Sequence, residues 1–121
     1  MADELTYRAN IALSKGGVEF SKALAQQSID VTGDHMIWAT QEIATSAENI
    51  QKGEITTVGF AMFHNTDATN YVEIGYDDTG FKPLIKLLAG EWCGPVRLSQ
   101  STPQAQANSA AVDLEYIIVE A

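Results

Sequence analysis

His35 and His64, the two histidines of the chain, are the residues best suited to metal chemistry. Imidazole nitrogens bind zinc, copper and iron, and a metal-dependent enzyme on a β-fold needs several of them close to a carboxylate. These two lie far apart in the sequence, and neither belongs to a His-x-His pair. We therefore predict no metal site and expect His64 to pack at a polar strand end. A small jelly-roll enzyme is the alternative, and it requires both histidines to converge on one carboxylate.

The acidic residues suggest two further kinds of chemistry. Asp67, Glu73, Asp77 and Asp78 could supply the oxygen ligands that calcium prefers, but their spacing matches no calcium-loop motif. Asp and Gly are also what turns use, so we predict a solvated turn at Asp77 and Asp78. A pair of carboxylates could hydrolyse a glycoside, but nothing in the surrounding sequence singles out a pair. The glutamates available for that role are Glu42, Glu48, Glu54, Glu73 and Glu91.

Aromatic residues and the single cysteine complete the candidates. Trp38, Trp92, Tyr71 and Tyr76 could line a sugar-binding face, but tryptophan in a β-domain is more often buried, and we predict a core position for both. Cys93 lies in an apolar run, which favours a small core or interface residue over a nucleophile. The chain has no serine-nucleophile motif and no phosphate-binding loop. We predict no catalytic, cofactor-binding or metal-binding residue.

The hydrophobic pattern predicts an all-β chain. Apolar and polar residues alternate from residue 5 to 14, the Gly16-Gly17 pair predicts a hairpin turn, and alternation resumes at Val18. The segment 60–76 is interpreted as a second hairpin, with a strand on each side of a polar turn. The segment 55–63 is apolar on both faces, which is typical of a central strand or of one with a face in an interface.

The remaining segments complete a prediction of about eight strands in one domain, residues 1–121. We expect an antiparallel, jelly-roll-like β-sandwich. Residues 44–50 suit a single helical turn at a corner, and residues 99–111 form a long polar loop or arm. Pro83 and Pro95 place their strands at sheet edges or bulges.

Composition excludes several classes of function. The 121 residues carry a net charge of −9, from 16 acidic and 7 basic residues, which argues against binding nucleic acid or an anionic membrane. A single cysteine excludes an internal disulfide and a zinc site built on cysteines. The first residues do not have the pattern of a signal peptide, and no segment approaches the ~20 apolar residues that span a bilayer. We expect synthesis in a cytosol without export by the usual route.

The chain resembles the short structural proteins of tailed bacteriophage virions. The resemblance extends over most of the chain and depends on five phrases. They are LTYRANIALSKGGV, TQEIATSAENI, FHNTDATNYVEIGYD, IKLLAGEWCGPVRL and LEYIIVEA. In this kind of protein, a phrase such as N-x-D-x-T-N-Y-V-E-I-G followed by K-L-x-A-G-E recurs without catalytic residues.

This resemblance implies a non-enzymatic β-sandwich that assembles on a virion. We expect a capsid decoration, or cement, protein that stabilises the phage head, made in the host bacterial cytoplasm and located on the virion. The implied partners are the major capsid protein and copies of the chain itself, as a homotrimer, and no cofactor is implied. The alternative is a surface module of a head fibre, neck or tail that binds host glycans or other virion proteins. No functional side chain is carried over from the resemblance.

Overall fold

Ten β-strands and no helix make up residues 4–121, the part of the chain that this computed structural model describes. The all-β prediction is confirmed, with ten strands instead of about eight. All paired strands are antiparallel. The strands are β1 (Leu5–Lys15), β2 (Val18–Ile29), β3 (Met36–Ile43), β4 (Glu48–Asn49), β5 (Val58–Asn65), β6 (Val72–Asp77), β7 (Phe81–Leu87), β8 (Trp92–Arg97), β9 (Gln104–Ala107) and β10 (Val112–Glu120).

The chain divides into two compact units, one ending at Thr32 and the other spanning residues 33–121. In the first unit, β1 and β2 form the predicted hairpin. Gly16 and Gly17 turn with φ values of 56° and 86°, which suit the tight turns that favour glycine. The ladder shifts register between Tyr7 and Ala9, so the pairing of the two strands is interrupted there.

The second unit contains two four-stranded sheets. We call the sheet with strand order β3-β10-β5-β8 the first sheet, and the sheet with order β4-β9-β6-β7 the second sheet. Only β6 and β7 are both consecutive in the chain and paired in a sheet. Every other connection in this unit carries the chain from one sheet to the other.

One buried core draws side chains from both sheets of the second unit. The contribution of β10 illustrates the pattern, because its alternate residues Val112, Leu114, Tyr116 and Ile118 are almost fully buried. Period-two alternation places every second side chain of a strand on one face, so the residues between them point away from this core. The segment predicted as a central strand, 55–63, largely becomes β5, which lies between β10 and β8.

The second predicted hairpin, at residues 60–76, is wrong. Its strands, β5 and β6, belong to different sheets and do not pair. The polar turn between them is folded on its own hydrogen bonds instead, with Asp67 accepting from the main-chain N–H groups of Thr69 and Asn70. An Asx-type turn of this kind fixes the direction of the chain without a ladder on either side.

The helical turn predicted at 44–50 is also wrong. Glu48 and Asn49 form the short strand β4, which pairs with β9. The Glu48 carboxylate accepts hydrogen bonds from the main-chain N–H of Ala44 and from the side chain of Gln41. Glu48 therefore bonds to residues that precede it in the chain, and these bonds hold the corner between β3 and β4 in place.

Residues 99–111 are not one long loop or arm, because they contain β9. This strand lies inside the second sheet, between β4 and β6. Its Ala105 and Ala107 are buried, while Gln104 and Gln106 alternate with them. The predictions for Pro83 and Pro95 are confirmed, since β7 and β8 are edge strands and each faces a register shift.

Candidate functional site

The outward side of the first sheet carries an unusual concentration of aromatic and apolar residues, and we call it the aromatic face. Its residues alternate with those that enter the core, so they point away from it. The face consists of Met36, Trp38, Thr40 and Glu42 on β3, Asp113, Glu115, Ile117 and Val119 on β10, Phe60, Met62 and His64 on β5, and Trp92 and Arg97 on β8.

A bonded group of four side chains crosses this face. Glu115 lies directly opposite His64 in the ladder, and its Oε1 is 3.1 Å from His64 Nδ1. Trp38 Nε1 donates to the other carboxylate oxygen, Oε2, over 2.9 Å. The imidazole stacks on the Trp92 indole with ring centroids 4.0 Å apart and planes only 7° from parallel. These bonds lower the pKa of Glu115, chiefly through His64 and then through Trp38.

The prediction that both tryptophans lie in the core is wrong. Trp38 is 68% exposed and Trp92 is 60% exposed. Periodicity alone does not show which side of β3 enters the core, because both sides begin with apolar residues. The side with the smaller residues, Ile37 and Ala39, packs against the core, and the side with Trp38 faces outward. The tryptophans flank a shallow cavity of about 90 Å³ that His64 and Glu115 also line.

One corner of the aromatic face is acidic. Glu42 and Asp113 are direct cross-strand partners, and Glu115 follows Asp113 on the same side of β10. Like charges placed opposite each other destabilise a sheet. A cationic partner would relieve this repulsion, so the face combines an apolar centre with a corner suited to positive charge.

The first unit also has an exposed apolar surface, which we call the apolar hairpin face. Leu13 pairs with Phe20 and Ile11 with Lys22, so these side chains share one side of the hairpin. The face consists of Ala9, Ile11, Leu13 and Lys15 on β1 and Val18, Phe20, Lys22 and Leu24 on β2. Its large apolar side chains are between 48% and 59% exposed. A two-stranded hairpin with such a face is at best marginally stable alone in water.

His35 belongs to a different group, centred on the carboxylate of Glu120. Glu120 Oε1 is 2.9 Å from His35 Nδ1 and accepts from Asp34 N–H, while Oε2 accepts from Thr56 N–H. The pKa of Glu120 falls to about 2, chiefly because of the Thr56 bond. The same carboxylate raises the pKa of His35. These bonds connect β10 to the segment that holds Asp34 and His35 and to the segment that holds Thr56.

The two histidines therefore use different carboxylates. Glu115 and Glu120 are five residues apart on β10, which corresponds to about 16 Å along the strand. The convergence on one carboxylate that the enzyme alternative requires is not found. Within residues 4–121, no group of three or more His, Cys, Asp or Glu side chains is arranged to hold a metal ion.

The remaining candidates have local structural roles. Asp77 accepts from Gly80 N–H in the β6–β7 turn, as the turn interpretation predicts. Cys93 faces inward against the core, and burial raises the pKa of its thiol, which agrees with a small core residue. Tyr71 lies under the Lys86 ammonium group, which is 4.1 Å from its ring centroid.

No protein-family model matches the chain, and no curated protein or solved structure matches it either. Among the residues that the structure describes, no helix has the length and apolar character to cross a membrane.

Proposed function

We propose that this chain is a non-enzymatic virion structural protein, a capsid decoration protein of a tailed bacteriophage. The observation that carries the proposal is the apolar hairpin face. Five large apolar side chains on a two-stranded hairpin are about half exposed, although such a hairpin needs a covering partner to be stable. A protein that works by adhesion uses surfaces of this kind, whereas a catalyst needs a cleft.

The proposed architecture is a jelly-roll-like β-sandwich for residues 33–121. One core shared by two four-stranded sheets supports it, together with connections that repeatedly pass from sheet to sheet. In sandwiches of this type, the inner sides of the two sheets form the core and the other side of each sheet faces outward. The aromatic face is such an outward side.

The proposed partners are copies of the chain, as a homotrimer, and the major capsid protein. The chain is made in the host bacterial cytoplasm and ends on the virion. The mechanism is adhesive: the assembled copies clamp adjacent capsid subunits, and the added buried area opposes internal pressure. The net charge of −9 suits a capsid surface with a basic face.

Capsids that lack the protein provide the test. We expect the purified chain to associate, by light scattering at micromolar concentration, and to bind such capsids at regular sites. Decorated capsids should then release their DNA at a higher temperature than undecorated ones. A chain that stays monomeric and does not bind these capsids would contradict the proposal and favour a neck or tail role.

A second function, recognition of host glycans at the virion surface, is favoured by one observation. Trp38 and Trp92 are both exposed and flank polar groups of His64 and Glu115. Exposed indoles beside a hydrogen-bonding carboxylate suit the apolar side and the hydroxyls of a sugar. Hits on a glycan array that disappear in Trp92→Ala would support this function, and an array without hits would remove it.

A further inference from the structure

Two exposed apolar faces of this chain carry opposite charges, and we propose that they dock on each other between copies. The apolar hairpin face of one copy covers the aromatic face of a second copy. This inference deepens the self-association in the proposed function and rests on it.

The hairpin supplies apolar area and positive charge on the same side. Lys15 lies opposite Val18 and Lys22 opposite Ile11, so both ammonium groups belong to the apolar hairpin face. The opposite side of the hairpin is polar, with the pair Ser14 and Glu19 as an example. Between residues 8 and 24 the hairpin has three basic residues and one acidic residue.

The aromatic face supplies apolar area and, at one corner, negative charge, while its basic side chain Arg97 lies on β8, at the opposite edge of the sheet from β3. Met36, Trp38 and Trp92 are each more than half exposed on it. The carboxylates of Glu42 and Asp113 form its acidic corner. Residues 33–121 as a whole contain twelve acidic and four basic residues, so this unit attracts a cationic hairpin.

Charge also decides against the simplest competing arrangement, in which two hairpins pack through their apolar faces. That arrangement would pack together two faces that each carry Lys15 and Lys22 and no acidic side chain, and like charges across an interface oppose association. The dimensions suit the proposed arrangement. The eleven residues of β1 extend about 36 Å and the nine of β10 about 30 Å, so a hairpin is long enough to cross the aromatic face.

A charge swap on the full chain tests the orientation. The proposed docking sets Lys22 of one copy against the acidic corner of the other, so Lys22→Glu and Asp113→Lys should each weaken self-association about tenfold, as measured by sedimentation, because each places like charges in contact. The double variant should recover to within about threefold of the original affinity. Ser21→Glu is the matched control: it adds a carboxylate at the adjacent position on the polar side of the hairpin, and it should leave the affinity nearly unchanged.

Three results of these sedimentation experiments would overturn the proposal. The first is an unmodified chain that is monomeric at about 100 µM, well above the micromolar concentration at which association is expected. The second is a Lys22→Glu variant that associates more tightly while Asp113→Lys has no effect, which would mean that hairpins pack on hairpins. The third is a double variant no better than either single variant.

Cross-linking identifies the surface and the copy. A photoreactive phenylalanine analogue replaces Phe20, and ¹⁴N-labelled and ¹⁵N-labelled chains are mixed before irradiation. We expect cross-links from position 20 to peptides containing Trp38 or Ile117, in pairs that combine both isotopes. Cross-links only within one isotope would place the contact inside a single chain, and cross-links to other surfaces would also overturn the proposal. Neither sedimentation nor cross-linking uses capsids. A failure of the two faces to dock can therefore be distinguished from a failure of the chain to bind capsids.

Discussion

The side-chain amide of Asn65, in the first sheet, donates a hydrogen bond to the main-chain oxygen of Leu87, in the second sheet, over 3.0 Å. The same amide donates to Asn70 O, and its carbonyl oxygen accepts from Asp67 N–H. Asn65 is completely buried. One side chain therefore joins the end of β5 to the turn that follows it and to the end of β7.

Asn65→Ala should lower the free energy of unfolding by about 3 kcal/mol, because it leaves several buried main-chain groups unpaired. Denaturant unfolding followed by circular dichroism measures this loss. Asn108→Ala, at an exposed position, is the matched control and should change stability by less than about 0.5 kcal/mol. Equal effects of the two substitutions would show that the Asn65 bonds are dispensable.

Asn65 also shows what a single sequence can reveal about this fold. Periodicity identified most strands, and Gly16-Gly17 marked the hairpin, because these signals depend on neighbouring residues alone. Which strands pair depends on contacts between distant residues, so two strands joined by a polar turn were interpreted as a hairpin although they lie in different sheets. The hydrogen bonds of a buried asparagine leave no pattern in the sequence.

The strand β9 and the aromatic face were missed for different reasons. β9 is built from alanine and glutamine, residues with little preference for strands, so its alternation looks like a loop. The sequence makes Trp38 and Trp92 candidates for a binding face, but tryptophan in a β-domain is more often buried, which favours the core. The alternation of β3 permits either row to face inward, and only the packed structure shows that the row with Ile37 does.

Gly75 lies where β6 meets β7 too closely for any side chain. A Cβ atom at this position would be 1.9 Å from the main-chain oxygen of Lys82. Gly75→Ala should therefore cost about 3 kcal/mol or more, because two backbones must separate. Gly90→Ala is the comparison: its φ of 81° is strained for alanine, but no atom lies within 4 Å of the new Cβ.

The cost at Gly90 should be about 1–2 kcal/mol, the ordinary penalty for a left-handed alanine. Midpoints of thermal unfolding rank the two variants. A Gly75→Ala protein that is as stable as Gly90→Ala would mean that β7, an edge strand, moves aside at a cost no larger than that of an ordinary left-handed alanine.

Tyr116 tests the contribution of one buried hydroxyl. Its Oη donates to the main-chain oxygen of Gln51 over 2.5 Å, and burial raises the pKa of the phenol. Tyr116→Phe keeps the ring in the core and removes this bond, so stability should fall by about 1 kcal/mol. Tyr76→Phe, on a half-buried tyrosine of the second sheet, should have a smaller effect in the same denaturant titration.

Glu120 should make stability depend on pH in acid. Its pKa is about 2 in the folded chain and near 4.5 when unfolded, so its contribution is complete above pH 4.5 and disappears as the pH falls towards 2. Glu120→Gln removes this contribution. The stability difference between the original protein and Glu120→Gln should therefore shrink as the pH is lowered through this range.

His35 extends the argument to neutral pH. Its pKa is raised above 6.5 mainly by Glu120, so this pair stabilises the fold below pH 6.5 and loses that contribution as the pH rises through the raised pKa. The difference between the two proteins should consequently be largest between about pH 4.5 and 6.5 and smaller on both sides. Urea midpoints measured from pH 2.5 to 8.5 give the curve. Because Glu115 and Asp67 titrate in both proteins, they cancel in the difference, and two parallel curves would contradict the role assigned to Glu120.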